Sequence, residues 1–155
     1  MTKQNENLDV EKALEVSACI ELDQIRIVAC SAELYSIPQG EKTCCQRYAS
    51  TEVSLAADRK LLLSFINFRL QASCGNEMKV AQVTAKYLAD YRLNEHKGLE
   101  FTEKQFAAFA KYNGVFNAWP YWREFVQSMT ARLNLPPLTL PVFRFGNTLP
   151  EYSNT

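Results

Sequence analysis

Residues 61–93 read L-L-L-S-F-I-N-F-R-L-Q-A-S-C-G-N-E-M-K-V-A-Q-V-T-A-K-Y-L-A-D-Y-R-L, and their alternation decides the fold. Leu62, Ile66, Phe68, Leu70 and Ala72 share one face of a strand. Ala81, Val83, Ala85, Tyr87, Ala89, Tyr91 and Leu93 share one face of the next. Gly75-Asn76 supplies turn chemistry between them. Antiparallel pairing with Cys74 opposite Lys79 sets Leu70 against Val83, Phe68 against Ala85 and Ile66 against Tyr87. A slip of one residue would set apolar against polar along the whole hairpin, so the register is well specified. The opposite face is divided. Asn67, Arg69, Gln71, Gln82, Thr84 and Lys86 form a polar patch at the turn end, and Leu61, Leu63, Phe65 and Leu88 an apolar patch at the far end.

Upstream, residues 1–7 are polar and expected to be loosely held. The spacing of Val10, Ala13, Leu14, Ala18 and Leu22 predicts a helix over 8–22. A strand over 23–36 carries Ile25, Ile27, Val28 and Leu34, and Pro38-Gln39-Gly40 turns the chain. A second strand over 46–57 has Thr51, Val53 and Leu55 on one face. Downstream, 94–98 is a loop. Thr102 and Gln105 form a capping box that opens a short helix to about Tyr112, with Phe106 and Phe109 inward and Gly114 as its end.

A further helix follows in the stretch 116–140, F-N-A-W-P-Y-W-R-E-F-V-Q-S-M-T-A-R-L-N-L-P-P-L-T-L. Asn117 is the expected N-cap, with Pro120 in the first turn. Trp122, Val126, Met129 and Leu133 recur on one face, widened by Tyr121 and Phe125. Arg132 suits the last turn, and Asn134 with Pro136-Pro137 stops the helix. Leu138 to Phe143 then runs extended, and 146–155 is a polar tail expected to be flexible. One helix, four strands and two helices in that order predict a single α+β domain over 1–155: a four-stranded antiparallel sheet with the N-terminal helix and the two C-terminal helices packed on one face.

The Pro-Tyr near the start of that helix, the pair Arg123-Glu124 and the ending L-P-P-L-T-L resemble the corresponding helix of SecB-type protein-export chaperones. The pattern is closest to the SecB-like chaperones of toxin–antitoxin systems, which have a very similar ending. The sharp part covers roughly a sixth of the chain, and the order of elements agrees over most of the rest. The resemblance implies a holdase that binds unfolded polypeptide without ATP, serving an antitoxin or presecretory clients, and assembles as a homotetramer, a dimer of dimers. On that reading Leu61, Leu63, Phe65, Leu88, Trp119, Tyr121 and Trp122 are the candidate client-binding groove. Phe125, Val126, Met129 and Leu133 are the candidate subunit interface. Export members also present acidic residues to the SecA motor. The matching positions here are Ala32, Ser36 and Gln82, with Glu33 beside the first, and the tail is unlike the family's. No productive engagement of SecA is therefore expected.

Composition agrees with a binding protein. Seventeen basic and seventeen acidic residues cancel, so no net field recommends nucleic acid or an anionic membrane as partner. The N-terminus has no apolar signal core and no run reaches membrane-spanning length, which makes cytoplasmic location the expectation. The five cysteines, Cys19, Cys30, Cys44, Cys45 and Cys74, contain no C-x-x-C and read as free thiols. The single histidine, His96, lies in a charged loop. Phosphate-binding, nucleophile-elbow and zinc-protease signatures are absent, so no cofactor and no metal is expected. The competing reading is a small-ligand enzyme or binding protein on a similar scaffold, with a thiol at work. The resemblance favours the holdase over it; the nine Phe, seven Tyr and two Trp serve core and subunit interface, or in part a groove for sequence-blind apolar contact.

Overall fold

The computed structural model describes residues 3–94 and 101–151. His96, and the loop reading for 94–98 beyond its first residue, lie outside the described residues, as do the chain ends at 1–2 and 152–155. The described elements are α1 (Lys3–Ser17), β1 (Ile20–Leu34), β2 (Cys44–Leu55), β3 (Leu61–Cys74), β4 (Met78–Leu93), α2 (Glu103–Phe109) and α3 (Val115–Arg132). The strands form one antiparallel sheet in the order β1-β4-β3-β2. β2, β3 and β4 follow one another as a meander. β1 lies beside β4, and residues 35–43 cross the end of the β3–β4 hairpin to begin β2, a Greek-key arrangement.

The central hairpin has the expected register: Leu70 faces Val83, Phe68 faces Ala85 and Ile66 faces Tyr87. The turn end departs from it. Ser73 pairs with Lys79 and Cys74 with Met78, because an extra residue, Val80, bulges between Lys79 and Ala81. Glu77 takes the positive φ of 58° that closes the turn. All seven residues assigned to one face of β4 are buried.

The first helix is displaced from its expected range. It begins at Lys3, so residues 3–7 are helical, and it ends at Ser17. Leu22 belongs to β1, and Leu14 is about half exposed. The buried positions are Ala13 and Val16. Ala13 meets Ala108 and Tyr112, so α1 leans mainly on α2 and touches the main core through Val16. Gln105 Nε2 donates to Glu15 (2.8 Å) across that contact. The capping box of α2 forms as expected, with the Gln105 amide donating to Thr102 Oγ1 and the Thr102 amide to Gln105 Oε1.

Gly114 does not end the helix. A π-helical turn, Ala110–Gly114, joins α2 to α3 without interruption. Gly114 keeps right-handed helical angles, and its lack of a side chain lets the turn press on β3. A Cβ there would lie 3.2 Å from Ser64 Oγ. Asn117 is consequently inside a helix rather than capping one, and its amide donates to the Tyr91 hydroxyl at 2.9 Å. Pro120 is tolerated on the exposed side, where the carbonyl left unpaired can meet solvent.

The helix ends where expected. Asn134 adopts φ 57°, its amide donates to Ala131 O, and the Leu135 amide donates to Thr130 O, a Schellman closure. The extended segment after Pro137 then runs back along α3. Thr130 Oγ1 accepts from the Leu138 amide (3.0 Å), Arg123 Nε donates to Leu140 O (2.8 Å) and Trp119 Nε1 donates to Pro141 O (2.9 Å). The tail is likewise tied down as far as it is described: Leu149 packs on the core and Pro150 O accepts from the Ala49 amide.

Candidate functional site

The core that holds everything else in place is aromatic. Trp122 is fully buried and stacks on Phe68 at 5.2 Å, and Trp119 meets the same ring edge-on at 5.8 Å. Placing both indoles on β3 and β4 gives α3 its anchor. It also corrects an expectation: Trp122 has no exposed surface to offer a client, and Trp119, 3% exposed, only borders an open cleft beside Val142 and Phe143. Val126 is fully buried as well and offers nothing to a neighbouring subunit. Phe125, Met129 and Leu133 are half-buried beside it, while Tyr121 is 51% exposed.

The helices cover only part of the sheet. On the helix side of β1, Leu22, Ile27 and Leu34 stay 40–43% exposed, and Val28 at the bulge is 46% exposed. Tyr121 stands next to this open half, with its ring 6.4 Å from that of Tyr87. Tyr87 has its hydroxyl pKa raised, chiefly by burial and secondarily by Glu124 and Cys30. The hydroxyl of Tyr91 is pushed up to about 12 by burial, against the opposing effect of its bond from Asn117. Both rings therefore stay neutral at ordinary pH.

The outer face carries the two patches read from the hairpin. Leu61, Leu63, Phe65 and Leu88 are all half-buried. They are not a bare apolar surface: the Lys86 ammonium lies 4.7 Å over the Phe65 ring. Beside them Asp90 is nearly buried under Arg26 and Gln24. The polar patch lines an open trough of about 710 Å³ with Ser31, Tyr48, Ser50 and Glu52. Within it Arg69 donates to Gln82, and the Ser31 and Thr84 hydroxyls share a hydrogen bond at 2.7 Å. Ala32 faces the core opposite Val83, so at that position the outward residue is Glu33, opposite Gln82.

Two clefts went unread in the sequence, a smaller apolar one and a larger one of mixed lining, and both lie on the helix side. One, of about 200 Å³, opens at the hairpin end under the β1–β2 connection. Pro38, Thr43, Cys45, Leu70, Val80, Leu135, Pro136 and Leu138 line it. Cys45 has its thiol pKa raised, first by burial and then by Cys44, with Arg47 opposing. The other, of about 670 Å³, lies at the far end between β2 and α2, walled by Val53, Leu55, Leu62, Phe101 and Phe106, with Arg59 and Glu103 at its polar margin. The L-P-P-L signal was visible for the first cleft. For the second, the alternation of Thr51, Val53 and Leu55 shows an apolar face but not how far α2 covers it.

β2 itself is a sheet edge. The Ala49 amide points away from β3 toward Pro150. Strand alternation turns the amides of Thr51 and Val53 the same way, along the larger cleft. The site thus combines sequence-blind backbone donors and acceptors with apolar pockets on the helix side and polar side chains, Ser50, Glu52 and Ser54, on the other. Among the described residues no three His, Cys, Asp or Glu side chains gather as a metal-binding group. No described helix is long and apolar enough to cross a membrane.

This strand order, with a long helix over the central strands and a strand edge beside clefts with apolar walls, is the SecB-like fold. A solved structure of the Mycobacterium tuberculosis Rv1957 SecB-like chaperone, in complex with a ChAD peptide from the Rv1956 HigA1 antitoxin, superposes with a TM-score of 0.77. The match covers 86% of this chain and 97% of that one at 23% identity. In sequence, the chain is 46% identical over 55 residues to the SecB-like chaperone Rv1957 and to the SecB-like chaperone MT2006, from two strains of that organism. The matched stretch is 36% of this chain and spans 30% of the length of those relatives. No family model matches the chain. The resemblance read from the α3 stretch is thereby borne out, together with the α+β architecture.

Proposed function

We propose that the chain is a SecB-like chaperone that holds non-native polypeptide without a nucleotide. The observation that carries this is the edge of β2, paired with no further strand and flanked by clefts with apolar walls. A client of any sequence can add its backbone to the edge and place alternate apolar side chains in the clefts. Contact area supplies most of the affinity, at about 25 cal/mol per Å² of apolar surface buried, less the cost of ordering a flexible client. An antitoxin segment is the client class favoured here, because the similar Rv1957 is seen holding one. Leu61, Leu63, Phe65 and Leu88 extend the apolar surface to the outer face, and Tyr121 lies on the open half of the sheet rather than in the clefts.

The assembly is a homotetramer built from two-fold pairs. The long edge of β1, with Leu22, Ile27, Val28 and Leu34 exposed, is a ready template for a second copy. Phe125, Met129 and Leu133 are half-buried and keep some apolar surface for a neighbouring copy. Productive engagement of SecA is not part of the reading. Arg69 and Lys86 stand at the centre of the outer trough, Ser36 is bonded to Lys79 O, and Gln82 accepts from Arg69. Glu33 and Glu52 are carboxylates on that face, as is Asp90, which is paired with Arg26.

The test is suppression of aggregation of an unrelated denatured protein by the full chain without nucleotide. Alongside it, Val53→Lys is expected to weaken suppression while the assembly keeps its mass. Absence of suppression at stoichiometric excess overturns the holdase reading. Tight, salt-sensitive binding of SecA overturns the exclusion of export.

A further inference from the structure

The C-terminal segment already sits where the client is placed. Arg144 to Asn147 form a hydrogen-bonded turn, with the Asn147 amide donating to Arg144 O at 3.1 Å. Gly146 takes φ 88° at its third position, as a type II turn requires. The chain then runs in the same direction as β2. Asn147 and Thr148 stand beside Arg47, and Leu149 and Glu151 stand beside Ala49, Ser50 and Thr51. Leu149 is half-buried against the core, and Pro150 O accepts from the Ala49 amide at 3.1 Å. Among the described residues this is the one backbone bond from outside the sheet to the free edge of β2.

The attachment is a weak one. Pro150 has no N–H to return to β2, so half of the ladder pair cannot form. Leu149 is the one apolar side chain of 147–151 packed on the core. An open cleft of about 400 Å³ lies at the start of the segment, between it and Trp119, Val142 and Phe143, and the cleft of about 670 Å³ lies beyond Thr51. The tail therefore lies along β2 between these two clefts.

We propose that Asn147–Glu151 is a displaceable strap, an internal ligand that holds the β2 edge until an extended client segment replaces it. This rests on the polypeptide-binding reading above. The apparent affinity for a client is reduced by the fraction of molecules with the strap open. Freeing a strap that is shut about nine-tenths of the time tightens binding about tenfold.

The experiment uses the full chain, its Leu149→Ser variant and a labelled twelve-residue peptide that alternates valine and threonine between terminal lysines. The strap predicts severalfold tighter peptide binding by the variant. It also predicts that saturating peptide releases 147–151 in the unaltered chain, read as faster amide exchange there. Peptide binding that leaves exchange at 147–151 unchanged, or equal affinities for the two proteins, overturns the strap and leaves the polypeptide-binding reading standing. Peptide binding to neither protein overturns that reading and the strap with it.

Discussion

The two edges of the sheet have opposite surroundings. β1 is fifteen residues long, and on its helix side Leu22, Ile27 and Leu34 are left open to solvent because α3 lies over β3 and β4. β2 is twelve residues long, and its helix side is enclosed by α2, by the segment after α3 and by the tail. An uncovered apolar edge fits a rigid partner of matching shape, and a second copy is the simplest one. A walled edge with separate pockets admits a single extended chain. One sheet can therefore serve assembly on one side and client binding on the other, with a rigid aromatic layer between them.

The sharpest way to break this division is through that layer. Trp122→Ala is expected to cost about 3–5 kcal/mol, as for other buried aromatics, whereas Tyr121→Ala one position away should cost under about 1 kcal/mol. Denaturant unfolding of the two variants measures both, and equal losses would show that α3 is not anchored as described. Alkaline pH probes the same layer. Tyr91 ionises near 10 when unfolded but is held up to about 12 in the fold. Stability contributed by keeping it neutral is complete below pH 10 and is lost as pH rises from 10 to 12. The loss is about 2–3 kcal/mol, and Tyr91→Phe should remove that part of the pH dependence.

The edge proposed for assembly gives a smaller effect. Ile27→Asp should shift dissociation to about tenfold higher protein concentration, about 1.4 kcal/mol, in light scattering. It should leave peptide binding along β2 intact. Smallest is Asn134→Ala, which places a Cβ-bearing residue without a local hydrogen-bonding side chain at φ 57° and should cost about 1 kcal/mol in thermal unfolding.

How much of this was legible follows from what each residue answers to. The β3–β4 register was readable because period-two alternation on both strands allows one pairing. The bulge at Val80 was not, since one extra residue at a turn leaves the apolar pattern on either side unchanged. The capping box of α2 was explicit in Thr102 and Gln105. The continuity of α2 with α3 was hidden because Gly114 and Pro120 carry breaker chemistry. Close packing of Gly114 on Ser64 and solvent beside Pro120 outweigh it. At the candidate site, aromatic content drew the reading to α3, but residue type could not separate the buried Trp122 from the exposed Tyr121. That distinction depends on where the sheet lies beneath the helix. The clefts beside β2 were out of reach for the same reason, being made by elements distant in sequence.

The assignment of the two edges is tested most directly by amide hydrogen exchange of the full chain with and without an unfolded polypeptide client. The account predicts added protection at Thr51 and Val53 on β2 and unchanged protection along β1. Protection gained along Ile20–Leu34, with none at Thr51 or Val53, would contradict it.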